Sequence, residues 1–300
     1  HAIINNSFID SAWRIKDGSH NLVKILADSI VQHGGKFFTN AKAEKFITEN
    51  TKIRFVKLSD GKEIEGKYFI SNTHPALILN ITDARNISSL FHQRIRNLED
   101  TMGIFTLYLV FKKEKFPYLN YNFYYYNQEN VWIAGDYNPT LWPQHYVFMV
   151  TATSKSESYA ESASVLTYMD YNELLRWENT TTGKRGEAYE EFKRQKAEKL
   201  LDAVERQFPG IKSCVESYYT STPLTWRDYT GTRAGSAYGV LKDFNKPLES
   251  IILPKTKIKN LFLTGQNINV HGILGVTISS VLTCAEIIDL RYLLSKISSA

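Results

Sequence analysis

The chain has 300 residues, of which 43% are hydrophobic and 22% charged, with 16 Gly and 8 Pro; at roughly 150 residues per domain it makes two domains or one large one with a substantial core. That composition excludes collagen-like, linker-like and disordered classes. The net charge of +5 and pI near 8.9 permit weak attraction to anionic surfaces without demanding it, and the basic runs at 112–115 and 193–199 are interleaved with acids, so no nucleic-acid partner is expected.

Asp17-Gly18-Ser19 precedes Leu22, Ile25, Leu26, Ser29 and Ile30 on one helical face, and Gly34-Gly35 closes it; the spacing predicts a capped amphipathic helix. Strand-like spacing follows over 36–40, 43–48 and 53–58, with turns at Asn50 and Asp60-Gly61, and then over 68–72. Residues 76–98 read as helix. Short β-rich runs at 105–111, 122–126, 131–134 and 146–151 predict an antiparallel sheet. The clearest long helix spans 187–208, with Phe192, Ala197, Leu200, Leu201, Val204 and Phe208 in phase and Pro209-Gly210 as its stop. Residues 218–239 have no clean periodicity. A buried strand at 261–264, a glycine-punctuated turn at 265–275 and a helix over 277–294 end the chain.

Cys214 and Cys284 have no CxxC and no nearby His pair, which excludes a disulfide framework or structural zinc and points to a reducing compartment. No apolar run reaches the ~18–20 residues of a membrane span, and residues 1–10 lack the basic start and apolar core of a secretion signal, so a cytoplasmic address is expected. The first residue is His1 rather than Met, as expected of a processed or partial chain.

The strand, glycine turn and helix at 261–294 aim free backbone N–H groups and a positive dipole end at whatever lies above the turn, and Gly272 and Gly275 permit close approach there. A tightly packed helix start would look the same. There is no GxGxxG, no Walker A sequence, no GxSxG elbow and no HExxH helix. The histidines have no metal-site spacing, and His271 alone sits within a functional-looking turn. Aromatic residues make up 13% of the chain, weighted to Tyr. Their concentration over 118–148, including Tyr125, Trp132 and Tyr146, suits either a cavity for a large apolar ligand or plain sheet packing.

Taken together, four segments resemble the phytoene desaturase, carotenoid isomerase and retinol saturase family of FAD-dependent oxidoreductases. They are Asp17-Gly18-Ser19 with its helix and Gly34-Gly35; Asn40-Ala41-Lys42-Ala43-Glu44; Ser71-Asn72-Thr73-His74-Pro75; and Leu261-Phe262-Leu263-Thr264-Gly265-Gln266 with Gly272-Ile273-Leu274-Gly275-Val276. The resemblance implies a mixed α/β and α+β fold: a partial Rossmann-like FAD-binding domain of amine-oxidase type over 1–75 and 241–300, with an antiparallel-sheet substrate domain over 76–240 inserted. It implies FAD contacts at Ala43, Asn72, Gly265, Gln266, Gly272, Ile273 and Gly275. It further implies His271, Tyr229 and Arg233 as candidates to touch the flavin ring, and no metal.

The family's first βαβ unit, with its GxGxxG, does not occur here, and Asn267 stands where an acid is often found. The expected protein is therefore the C-terminal part of an enzyme that desaturates, saturates or isomerises a carotenoid- or retinoid-like lipid, holding FAD poorly by itself. Its expected partner is an apolar polyene or isoprenoid bound near Tyr125, Trp132 and Tyr146, and a lipid-resident substrate would allow a peripheral membrane contact. The alternative is a non-catalytic apolar-ligand-binding or interaction domain without flavin.

Overall fold

The computed structural model describes residues 12–83 and 87–299. Two apolar clusters organise them. The first helix, α1 (His20–Gln32), leads into an antiparallel three-stranded sheet of β1 (Ala43–Glu49), β2 (Lys52–Leu58) and β3 (Glu63–Glu65). Next come β4 (Phe69–Ser71), α2 (Pro75–Ile81) and α3 (Ser89–Asn97). The second sheet has the order β6-β7-β8-β5-β9 and is antiparallel throughout: β5 (Gly103–Phe111), β6 (Phe123–Tyr126), β7 (His145–Val150), β8 (Ser162–Met169) and β9 (Val215–Ser221). The long helix α4 (Glu187–Gln207) and a single turn, α5 (Ile211–Cys214), precede β9. After it come α6 (Pro223–Thr230), α7 (Pro247–Ser250), β10 (Leu261–Leu263), α8 (Gly272–Ala285) and α9 (Leu290–Ser298).

Strand β10 pairs with β4 in parallel, Leu261 opposite Phe69 and Leu263 opposite Ser71. Parallel neighbours need a crossover, and here that crossover is the whole of 72–260. One cluster therefore joins residues distant in sequence: Phe46, Ile53, Ile78, Ile95, Val240, Leu261 and Leu263. Asn260 fastens the two sheets of this part, its side chain exchanging both hydrogen bonds with the Ile53 backbone at 2.8 and 2.9 Å.

The other cluster lies between the five-stranded sheet and α4. Phe105, Leu107, Phe148, Val165 and Met169 project from the sheet against Tyr189, Leu200 and Val204. Trp142 packs edge-on to Phe105 at 5.6 Å and donates its indole N–H to the Tyr168 carbonyl.

Several local expectations are corrected. Residues 36–40 form no strand: Asn40 turns at φ +55°, and β propensity is not enough where the described residues offer no partner strand. The 131–134 run is a 3-10 helix, Val131–Gly135, whose start is turned by Asn130 accepting the Trp132 N–H. The helix expected over 76–98 is two helices. Thr82 leaves α2 extended and the Ser88 side chain caps α3, accepting from the Phe91 N–H, while 84–86 lie outside the described residues. The final helix starts at Gly272 rather than 277 and stops at Ala285; Asp289 then caps α9. The reading of residues 1–10 lies outside the described residues.

Candidate functional site

Strand periodicity divides the aromatic segment between two faces. Tyr146 is 1% exposed, stacks on Tyr125 at 4.9 Å and donates its hydroxyl to the Ala203 carbonyl of α4; both rings thus belong to the helix-packed core. Trp132 is 89% exposed on its 3-10 turn. Of the three side chains expected to line a cavity, Tyr125 and Tyr146 are therefore brought together in the core and Trp132 stands apart. The opposite face of the sheet carries the cavity. Tyr124, Tyr126, His145, Val147, Met149, Leu166 and Tyr168 line a space of about 310 Å³ with Ile104 and Tyr238. Tyr124 also borders a wider groove beside Tyr118 and Tyr121. Arg14 ties residues 119–122 to the end of β7 along this groove, donating to the Leu119 and Val150 carbonyls and to Asn122 Oδ1 at 2.8–3.0 Å.

The segment that supplies Tyr238 is held tightly. Its backbone bridges 100–103 through Asp100 with Val240 and Gly103 with Ser236. A Cβ on Gly235 would lie 1.8 Å from the Pro223 carbonyl oxygen, at φ +59°. Tyr238 in turn joins the cavity to the glycine turn, its ring 4.5 Å from that of His271. Burial pushes the His271 pKa down and those of Tyr168 and Tyr238 up, so His271 is neutral and the phenols protonated at neutral pH.

The glycine turn follows β10. A Cβ on Gly265 would collide with Asn72 Oδ1 at 1.7 Å, and one on Gly275 with the Val270 carbonyl oxygen at 2.4 Å. Asn72, Gly265 and Gln266 are thus adjacent, at the ends of the parallel pair, and Thr264 bonds back to the Ser71 carbonyl at 2.9 Å. His271, at the N-cap of α8, makes no side-chain cap, so among the described residues the usual side-chain bond to the helix's first N–H donors is not made. Gly272, at φ +81°, has none of the described residues within 4 Å of where its Cβ would be. The N–H donors and the positive dipole end of α8, beside the exposed Ile273, fit one electron-rich edge of a planar group. Ala43 stands half-buried at the start of β1, paired with Leu58. Asn267 is buried, and its Oδ1 accepts the Val240 N–H at 3.1 Å; the residue that departs from the family pattern fastens the Tyr238 segment to the glycine turn. Lys242 reinforces the join through the Asn267 and Ser250 carbonyls, and burial lowers its pKa to about 8.

The two other ring-touching candidates, Tyr229 and Arg233, lie on the segment that follows β9. Tyr229 is 78% exposed on α6. Arg233 is committed to a clamp: its Nε donates to Asp100 Oδ2 at 2.9 Å, and its terminal nitrogens reach the Arg96 and Leu98 carbonyls. Asp100 Oδ1 meets His74 Nε2 at 3.0 Å, while His74 Nδ1 accepts the Ala76 N–H, which puts the ring proton on Nε2. His74, in the crossover after β4, and Asp100, before β5, were not singled out by sequence. The signal for His74 was its place in the Ser-Asn-Thr-His-Pro segment; Asp100 had none.

Comparison with known proteins follows the same outline. Residues 4–288 match the family model described as flavin containing amine oxidoreductase. An all-trans-retinol 13,14-reductase of Danio rerio is 22% identical over 96% of this chain and 51% of its own length. A chloroplastic prolycopene isomerase of an Oncidium hybrid is 24% identical over 90% and 45%. The chain spans about half the length of the curated relatives it matches. Among solved structures, an oxidoreductase from Methanosarcina mazei superposes with a TM-score of 0.52 at 13% identity, covering 88% of this chain and 53% of that one, a likeness of fold. No helix among the described residues is long and apolar enough to cross a membrane.

Proposed function

We propose, from the premise that this chain belongs to the flavin containing amine oxidoreductase family, that it is the C-terminal share of an FAD-dependent oxidoreductase acting on the carbon-carbon double bonds of a carotenoid- or retinoid-like lipid. The observation that carries the proposal is the meeting of two sites at the Tyr238–His271 ring contact: an aromatic cavity on one side and the glycine turn at the N-terminus of α8 on the other. An apolar chain laid along the sheet face would end beside the glycine turn, which is the positioning such chemistry requires.

FAD, when bound, would supply two-electron hydride transfer. The residues that would hold it are Gly265, Gln266 and Asn72 at the strand ends, Gly272, Ile273 and Gly275 at the helix start, and Ala43 on the neighbouring sheet. The helix end stabilises negative charge above Gly272. Tyr238 and His271, both uncharged, wall the junction. Ile78, Leu79 and Ile95 pack with Leu261 and Leu263, so we draw the inserted substrate domain from near residue 100, rather than 76, to near 240. The remaining residues form the cofactor side, whose pyrophosphate cradle would come from the half of the relatives' length this chain does not span.

The test is the full encoded polypeptide, purified without added flavin. A visible flavin absorption band, with FAD released on denaturation, supports the proposal. A folded, colourless protein that takes up no FAD would overturn it.

A further inference from the structure

A second space, of about 270 Å³, lies between α2, α3, β10 and residues 253–258, and it shares no wall residue with the aromatic cavity. Its walls are apolar, with Pro75, Ile78, Phe91, Ile258, Leu261 and Leu263 among them. Hydrogen bonds hold the 254–258 wall in shape. The Leu263 N–H donates to the Pro254 carbonyl at 2.8 Å, a β-bridge joins Lys255 to Phe262, and Thr256 Oγ1 bonds to the Ile258 and Leu261 carbonyls at 3.0 and 2.9 Å. Ser88 Oγ caps α3, so both wall hydroxyls are already bonded. The charges around the mouth are of one sign. Lys255 and Lys257 line the space and are exposed, and the Arg94 guanidinium lies 5.8 Å from the Phe91 ring centre. No Asp or Glu lines the space, and among the described residues none of these three cations meets a carboxylate.

We propose that this pocket is a binding site for a long-chain carboxylate, separate from the aromatic cavity and from the glycine turn. The hydrocarbon tail lies between α2, α3 and β10, and the carboxylate stays at the mouth with Lys255 and Lys257. The volume is at the small end of ligand pockets and suits one chain rather than the two of a phospholipid. Removal of the tail from water drives it in, while the head keeps part of its hydration and gains two cations that otherwise have no counter-charge. An alcohol of the same length gains the tail contribution alone. An alkylammonium meets like charge. The site requires neither bound FAD nor an occupied aromatic cavity, so it stands or falls independently of the redox reading.

The experiment is calorimetric titration of the full encoded polypeptide, at low ionic strength and neutral pH, with three chain-matched probes: decanoate, decanol and decyltrimethylammonium. Decanoate is expected to bind about tenfold more tightly than decanol, with the ammonium weakest, and added salt should narrow the gap. In the double variant Lys255→Gln with Lys257→Gln, both at exposed positions, decanoate should fall to the affinity of decanol while decanol itself binds as before. Leu253→Glu, which sets an acid at an exposed wall position, should weaken decanoate more than decanol. Equal binding of decanoate and decanol, or an undiminished preference for decanoate in the double variant, would overturn the inference. So would a folded full polypeptide that binds none of the probes, since the remainder of the chain would then cover the pocket. Flavin content of the same preparations bears on the redox reading alone.

Discussion

Tyr125 and Tyr126 are neighbours in the chain and belong to opposite sides of one sheet, because successive strand residues alternate faces. Composition cannot say which of them meets a ligand; the pairing with β7 decides it. Tyr125 stacks on Tyr146 in the core, whereas Tyr126 stacks on His145 at the cavity. Tyr146→Phe should therefore cost about 1 kcal/mol of stability through the lost bond to Ala203, with ligand affinity unchanged; urea unfolding alongside probe titration checks both. Asp100 gives the pH prediction. Its hydrogen bonds from His74 and Arg233 outweigh desolvation and hold its pKa below the ordinary carboxylate value. Its contribution is fully present above the unfolded-state value of about 3.9 and is lost as the pH falls through the folded one. Asp100→Asn should cost about 3 kcal/mol near pH 6 and show a flatter decline in Tm below pH 4 than the parent protein.

At the scale of elements, the glycine turn and the 236–241 segment depend on close backbone approach. Gly235→Ala places a Cβ against the Pro223 carbonyl at a positive φ and should destabilise by well over 1 kcal/mol, seen as a lower Tm. Gly272→Val is different, since none of the described residues occupies the space beside it. The branched side chain at positive φ should abolish flavin retention in the full polypeptide while far-UV dichroism of the five-stranded sheet stays the same. Retained flavin in Gly272→Val would remove this turn from the cofactor site. The element boundaries that differ from the sequence expectation have two causes. Residues 36–40 and 131–134 carry β propensity, but a strand exists only where another strand pairs with it, and the helix expected over 76–98 breaks where the backbone turns extended at Thr82 and the Ser88 side chain caps a new start.

On the scale of the molecule, the apolar side chains of α1, Val23, Leu26 and Ile30 among them, are exposed, and so are Ile273, Tyr292 and Leu294 on the last two helices. Among the described residues β4 pairs only with β10. So much uncovered apolar surface beside an open strand edge is unusual for a self-sufficient soluble unit and accords with a chain half the length of its relatives. The isolated chain should bind 8-anilinonaphthalene-1-sulfonate and self-associate with concentration in sedimentation runs, and the full encoded polypeptide should do neither. Equal dye binding by both would count against the proposed missing half.

The amphipathic helix at 20–32, the long helix of 187–207, the strand, glycine turn and helix at the end, and the family were legible in the sequence. Each rests on spacing or on short motifs whose physics is local. The partners of those motifs were decided by the tertiary structure. Arg233 clamps Asp100, Tyr146 joins the core, and His145 and Tyr238 wall a cavity, because which side chains meet is set by strand register and by a crossover spanning 72–260. Pairing across that distance leaves no periodic trace in the chain.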